Sequence, residues 1–248
     1  RTFDTPQNWT GNGADTLALW FRGRAAGFAD NGNGTFTMSS SGTDIWNNGD
    51  QFRFAYKQLT GNGSLIVKVD SLVNTNVWAK GGAMIRQSLD PGSKFAYMIV
   101  SYSSGVSFGW RQQAAGTCGS ATQAGVAAPQ WVKLTRTGDA FTAQYSAEGK
   151  TWLDIKNADG TVTTTTVAMT GPVYIGLCVT SHDAALTTMA TFSNVSSTTP
   201  MRWPRTLTSS PAGSVATLLT TTSATTSLLP DVAGDYVVSL TVSDGVLT

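Results

Sequence analysis

The amino-acid sequence predicts an all-β fold, an antiparallel jelly-roll sandwich, and three features predict it. Apolar and polar residues alternate along most of the 248 positions. Turn-forming residues interrupt that alternation at short intervals. No run of useful length carries the period of a helix.

The alternation is read directly. Phe52, Phe54 and Tyr56 alternate with Arg53, Ala55 and Lys57, and Leu65, Val67 and Val69 with Ile66, Lys68 and Asp70. Val106, Phe108 and Trp110 alternate with Ser107, Gly109 and Arg111. Phe141, Ala143 and Tyr145 follow the same rule, as do Val173, Ile175, Leu177 and Val179. Successive side chains on a strand point to opposite faces, so each run is expected to have one buried and one wetter face. TGNGS (60–64), DPGS (90–93), SSG (103–105), TGD (137–139), AEGK (147–150) and ADG (158–160) supply the turns. Many short strands at hairpin spacing fit two packed antiparallel sheets.

The organisation along the chain is expected to be fourfold. Residues 1–31 hold one strand, 16–21 (TLALWF), and a loop, as the tail of a preceding β-module. Residues 32–195 hold the dense hairpin series. Residues 196–204 (SSTTPMRWP) read as a linker, and 205–248 as a Ser/Thr-rich β-segment ending in the strand 236–242 (YVVSLTV).

Charged residues make up only 12% of the chain, about half the ~25% usual in soluble domains, and the net charge is +1. Nucleic-acid binding lacks its basic footprint. No stretch approaches the ~20 apolar residues of a membrane-spanning helix, so membrane insertion is not expected. The hydroxyl-rich polar surface points to an extracellular or cell-surface protein of bacterial type. Arg1 opens directly on strand-and-turn sequence, so the chain is expected to be processed or cut from something longer. Cys118, in a Gly/Ala/Thr loop, and Cys178, in a strand, are an even pair in a secreted-type chain. A disulfide is expected, with two free thiols as the alternative.

Proton-handling side chains are scarce. Glu148 is the only glutamate and His182 the only histidine. Glycosidases work with two carboxyl groups across the scissile bond, and no Asp-x-Asp pair occurs here. Glu148 falls in a turn, where a solvated charge is ordinary. Ser181, His182 and Asp183 are consecutive, so their side chains diverge and make no triad. The chain therefore reads as a non-enzyme that acts by contact.

Candidate ligand-binding residues are Trp78, Arg86, Tyr97, Trp110, Arg111, Gln112 and His182. Indole faces stack on sugar rings, and Arg offers forked donors to hydroxyls or carboxylates. Trp78 and Arg86 share the NTNVWAKGGAMIR motif with Lys80; Trp110 and Arg111 must point to opposite faces of one strand. Tyr102 is a weaker candidate. For each, a core or structural role is the competing reading. Asp44, Asn47 and Asp50, with Asn48, crowd one loop and could ligate Ca²⁺ through oxygen, although Asx residues also make turns with their own backbone. No other cofactor is expected. N-x-S/T sequons stand at Asn8, Asn33, Asn62 and Asn194.

Several motifs together resemble one family. GTFTMSSSGTDIW, DQFRFAYKQLTGNGSLIVKVDSL, WAKGGAMIRQS, GVSFGWRQ, PQWVKLTRTGDAFTAQYSAEGKTW and GPVYIGLCVTSH keep order and spacing over 32–195. They are similar to the concanavalin-A-like β-sandwich family labelled "regulation of enolase protein 1-like". The resemblance implies a two-sheet jelly roll and little about activity. RTLTSSPAGSVATL and DVAGDYVVSLTVSDG resemble part of a polycystic-kidney-disease-type repeat, which implies a partial immunoglobulin-like C-terminal segment. PQNWTGNGADTLALWFRG looks like the closing strand of a laminin-G-like or carbohydrate-binding module.

The leading expectation is a non-catalytic extracellular module, carbohydrate-binding or adhesive, whose partner is a polysaccharide or cell-surface glycan. The alternative is a self-associating surface or filament subunit whose incomplete terminal strands pair between copies. A glycan-active enzyme ranks third.

Overall fold

A computed structural model describes residues 27–197, 205–216, 218–219, 227–228, 230–233, 235 and 237–240. The expected strand at 16–21 lies outside the described residues, as does 198–204 of the expected linker 196–204, whose first two residues instead end the strand Asp183–Ser197.

Two antiparallel sheets pack face to face. The eight-stranded sheet runs β1 (Phe28–Asp30), β2 (Thr35–Gly42), β16 (Asp183–Ser197), β6 (Gly63–Leu72), β11 (Gln130–Thr137), β12 (Ala140–Ser146) and β13 (Leu153–Asp154), with β14 (Thr164–Thr166) also on β12. The six-stranded sheet runs β10 (Cys118–Gln123), β9 (Val106–Arg111), β8 (Phe95–Ser101), β7 (Lys80–Arg86), β15 (Val173–Thr180) and β5 (Arg53–Leu59). A separate hairpin joins β3 (Ile45–Trp46) to β4 (Gly49–Asp50). Strands distant in sequence lie side by side: β16 separates β2 from β6, and β15 separates β5 from β7. The chain is thus an all-β jelly-roll sandwich. Its first described strand, Phe28–Asp30, lies upstream of residue 32 and is held by Phe28 stacking on Phe36 at 5.7 Å.

The main core lies between the sheets. Val67, Val132, Leu134 and Phe141 come from one side, and Ile85, Met98, Phe108, Ile175 and Leu177 from the other. On β2, β6 and β11 the burial alternates residue by residue, as the sequence period requires. Phe192 of β16 reaches across to β7, where Gly81 leaves it room: a Cβ there would sit 3.2 Å from the ring.

The six-stranded sheet departs from the expected one-wet-face pattern. Every residue of β7 and β8 is buried. Their outer faces carry a second apolar cluster of Ile45, Phe52, Phe54, Met84, Phe95, Tyr97, Ile99 and Cys178. Ile45 and Phe52 belong to the chain around the β3–β4 hairpin, which folds over this face. A doubly covered strand reads as a continuous apolar run, and FAYMIVS does so.

In the C-terminal segment, β17 (Arg205–Ser209) pairs antiparallel with β20 (Val237–Leu240), and β18 (Leu218–Leu219) with β19 (Ser227–Leu228). The expected strand at 236–242 thus contains an observed one.

Phe192→Ala is expected to lower stability by about 3–5 kcal/mol in urea denaturation, since a fully buried ring leaves a cavity between two sheets. Leu153→Ala, at a side chain 52% exposed, is expected to stay within about 0.5 kcal/mol of the parent.

Candidate functional site

Strand register sets out the outer face of the six-stranded sheet as transverse rows. One row runs Cys118, Arg111, Phe95, Arg86 and Tyr174 across β10, β9, β8, β7 and β15. The next runs Ser120, Gly109, Tyr97, Met84 and Gly176. Beyond it lie Thr122, Ser107, Ile99, Gly82 and Cys178, and then Ser101, Lys80 and Thr180.

The β3–β4 hairpin covers the first row through one buried charge cluster. Arg111 Nη2 and Nη1 donate to Asp50 Oδ1 at 2.6 Å and Oδ2 at 2.9 Å. The same guanidinium donates to the carbonyls of Trp46, Asn47, Pro91 and Ser93. Arg86 Nη2 lies 3.4 Å from Asp50 Oδ2, and Arg86 donates to the carbonyls of Ser88 and Asp90. Arg86 packs over the Phe52 ring at 4.9 Å, and Arg111 over Phe95 at 4.8 Å. All three charged side chains are fully buried. Burial pushes the Asp50 carboxyl above its ordinary value, while the hydrogen bond from Arg111 and the two cationic charges pull it back. Burial brings the Arg86 guanidinium down to about 10, so it stays charged at neutral pH.

Past the hairpin the outer face opens into a pocket of about 360 Å³, lined by Asp44, Trp46, Trp78, Lys80, Tyr97, Ser107, Ser120 and His182. That volume falls at the small end of ligand sites. Tyr97 shapes its floor. The ring lies across β9 because position 109 is glycine: a Cβ there would stand 2.4 Å from Tyr97 Cζ. Burial raises the Tyr97 phenol well above its usual range, so it stays protonated, with Ser107 hydrogen-bonded to it. Thr122 Oγ1 bonds Ser107 Oγ at 3.0 Å and extends the hydroxyl row to the sheet edge.

Lys80 is the buried cation of the pocket. Its ammonium pairs with Asp44 and stands 5.9 Å from the Trp78 ring. Burial lowers its pKa, and Asp44 works against that shift. Asp44 Oδ2 also lies 3.1 Å from His182 Nδ1, a close polar approach that is not aligned as a hydrogen bond. His182 itself holds a left-handed backbone (φ 57°), a strained conformation for a non-glycine residue.

The structure therefore gathers Trp78, Tyr97 and His182 from the expected ligand-binding residues, and separates the others. Arg86 and Arg111 are sealed under the hairpin. Trp110 points to the inner face, 5.2 Å from Phe108, and packs on the main core. Gln112 is exposed and donates to the Thr166 carbonyl. Tyr102 is exposed outside this lining. Ser181 Oγ donates to the carbonyls of Gly42 and Asp183, so it has no pairing with His182. Trp46, Ser107 and Ser120 went unrecognised in the sequence. An apolar Ile45–Trp46 pair inside the polar TDIWNNGDQF stretch was the available signal for Trp46. The two serines carry none without the register.

The candidate calcium residues do not converge. Asp50 faces Arg111, Asp44 faces Lys80 and His182, and Asn47, at φ 51°, gives its carbonyl to Arg111. Asn48 is exposed on the hairpin turn. Among the described residues no three acidic, His or Cys side chains form a metal-binding group.

The expected disulfide is corrected: Cys118 and Cys178 are both free thiols. β10 and β15 stand four strand steps apart in the same sheet, about 19 Å at the usual spacing, far beyond a bridge's reach. Cys178 instead donates to the Gly82 carbonyl and Cys118 to that of Asn47. Burial pushes Cys118 up to about 11 and Cys178 up to about 12.

No family model and no curated protein matches the chain. Among solved structures it is similar to a functionally unknown protein from Saccharomyces cerevisiae, with TM-score 0.56 and 16% identity, covering 74% of this chain and 97% of that one. It is more distantly similar to the GH43 BlXynB protein from Bacillus licheniformis, with TM-score 0.40 and 13% identity over 64% of this chain and 31% of that one. A lectin from Bauhinia forficata in complex with GalNAc gives TM-score 0.38 and 11% identity over 65% of this chain and 92% of that one. The yeast match shows a shared fold.

Arg111→Met strips Asp50 of its forked partner and is expected to cost about 3–5 kcal/mol in urea denaturation. Arg111→Lys should recover little of it, because one ammonium cannot bridge the carboxylate and the hairpin carbonyls together. The thiols give a second check. Without reductant, both cysteines of the denatured chain should react with a chromogenic disulfide reagent; at pH 8 the folded chain should react very slowly, since about a thousandth of Cys118 is thiolate. Absence of thiol reactivity in denaturant would reinstate the disulfide.

Proposed function

We propose that this chain is a non-catalytic carbohydrate-binding module of an extracellular or cell-surface protein, and that glycan sits in the Trp46–Trp78 pocket. One observation carries the reading. Two partly exposed indoles line a single pocket whose remaining walls are a buried phenol, two serines and a Lys–Asp–His group. Aromatic faces supply apolar contact to the C–H faces of a sugar ring, and fixed polar groups select the orientation of its hydroxyls. Asp44 accepts from hydroxyls; Lys80, Tyr97 and the serines donate.

Binding without turnover is supported by the same lining. It contains one carboxylate, Asp44, and both oxygens already face cationic or ionisable nitrogens. Hydrolysis of a glycosidic bond ordinarily asks for two carboxyl groups, one on each side of the bond. The order of the motifs over 32–195 supports placing the sandwich with the enolase-regulator-type family, and the DVAGDYVVSLTVSDG stretch supports a partial polycystic-kidney-disease-type repeat behind it.

Tryptophan fluorescence should change when a binding oligosaccharide is titrated into the protein. Trp78→Ala is expected to weaken that binding by about tenfold or more, in line with the loss of one stacked ring. Gly109→Ala should weaken it as well, by displacing the Tyr97 ring from the floor while leaving every pocket side chain present. A flat response across a broad glycan panel overturns the proposal, and so does reducing-sugar release that Asp44→Asn abolishes.

A further inference from the structure

The pocket continues past the sheet edge. A second, shallower cavity of about 430 Å³ is lined by Ser120, Ala121, Thr122, Gln123, Lys156, Asn157 and Ala158. Ser120 belongs to both linings, so the two cavities meet at that residue. The second cavity follows β10 over four residues, roughly 10 Å of extended chain.

Two properties distinguish this track from a neutral sugar cleft. The first is charge. The combined linings hold Lys80 and Lys156 against one carboxylate, Asp44, which is already engaged by Lys80. Lys156 is exposed and contributes its charge without an acid in the lining beside it. The second is the edge itself. β10 ends the six-stranded sheet, pairs with β9 alone among the described residues, and gives four of its residues to the lining of the second cavity. A free strand edge offers backbone N–H donors and C=O acceptors in alternation along an extended line. An extended edge that can hydrogen-bond sugar hydroxyls, with surplus lysine charge beside it, suits an extended sugar chain that carries negative charge at intervals.

We infer that the track takes an internal segment of an acidic polysaccharide, a chain of carboxylate-bearing (uronic acid) units. One ring sits on Trp46 and Trp78 in the deep pocket, the chain crosses Ser120, and a carboxylate of a following unit meets Lys156. This rests on the glycan reading of the pocket and adds the class of sugar and the path of the chain. A charged hydrogen bond to Lys156 supplies acid specificity, and the indoles supply contact that every sugar ring shares.

The test is calorimetric titration of the full chain with a galacturonate tetramer, its fully methyl-esterified counterpart, and a sialylated trisaccharide that carries one terminal carboxylate. The free-acid tetramer is expected to bind about tenfold tighter than the ester at low salt, with the margin shrinking as NaCl rises. Lys156→Gln should remove most of that margin. Lys150→Gln, which deletes the same charge from an exposed turn of the other sheet, should leave it intact. Equal affinity for acid and ester overturns the inference and leaves a neutral-glycan pocket standing, which Trp78→Ala then confirms by weakening both. Trisaccharide binding as tight as the acid tetramer overturns the track across Ser120, because a single acidic terminus would then suffice. Binding of none of these probes, with no response to neutral oligosaccharides either, overturns both readings together.

Discussion

The contact between Arg111 and Asp50 is the constraint on which the outer face depends. A planar guanidinium matches the two oxygens of a carboxylate and still has N–H groups for the carbonyls of Trp46, Asn47, Pro91 and Ser93. One side chain on β9 thereby binds a hairpin and a neighbouring loop to the sheet. Such a buried pair adds little net stability over a well-packed apolar replacement, because both ions lose their hydration. Its consequence is placement. With the hairpin fixed, Trp46 and Asp44 stand over one end of the sheet, and the pocket has a wall.

That wall explains the unequal use of the two sheets. The eight-stranded sheet buries one face and wets the other, as its alternating strands require. The six-stranded sheet is covered on both faces at β7 and β8, and where the hairpin stops its outer face opens into the pocket. The opening is floored by a phenol laid flat beside a glycine and bounded by a lysine that would be costly to bury without Asp44. Tyr97, Lys80 and Asp44 are thus held by packing or pairing before any ligand arrives, which lowers the ordering cost of binding.

The sequence made parts of this site visible and hid others. Trp78, Tyr97 and His182 were recognisable as residue types suited to binding, and the structure collects them. Arg86 and Arg111 were equally suitable by chemistry, yet they serve the interior. Alternation set Arg111 opposite Trp110, and nothing local could show that the TDIWNNGDQF segment folds back over both arginines. Trp110 shares parity with Phe108, and that signal correctly marked the core. The even cysteine count pointed to a bridge, but pairing depends on strand order, and four intervening steps separate the two thiols. Calcium ligation by Asp44 and Asp50 looked plausible from spacing alone; both carboxylates turn instead toward cations from distant strands.

By itself the sequence determined the class of fold, most of the strands, and the poverty of acid–base groups. These follow from local periodicity, turn chemistry and composition, which need no knowledge of what lies across the sheet. Tertiary structure alone decided the pocket, the burial of Arg86 and Arg111, and the separation of the cysteines. Those depend on register and strand order in a jelly roll, where neighbours come from opposite ends of the chain. Lys80 and Asp44 lie 36 residues apart and Arg111 and Asp50 lie 61 apart; only folding makes them partners.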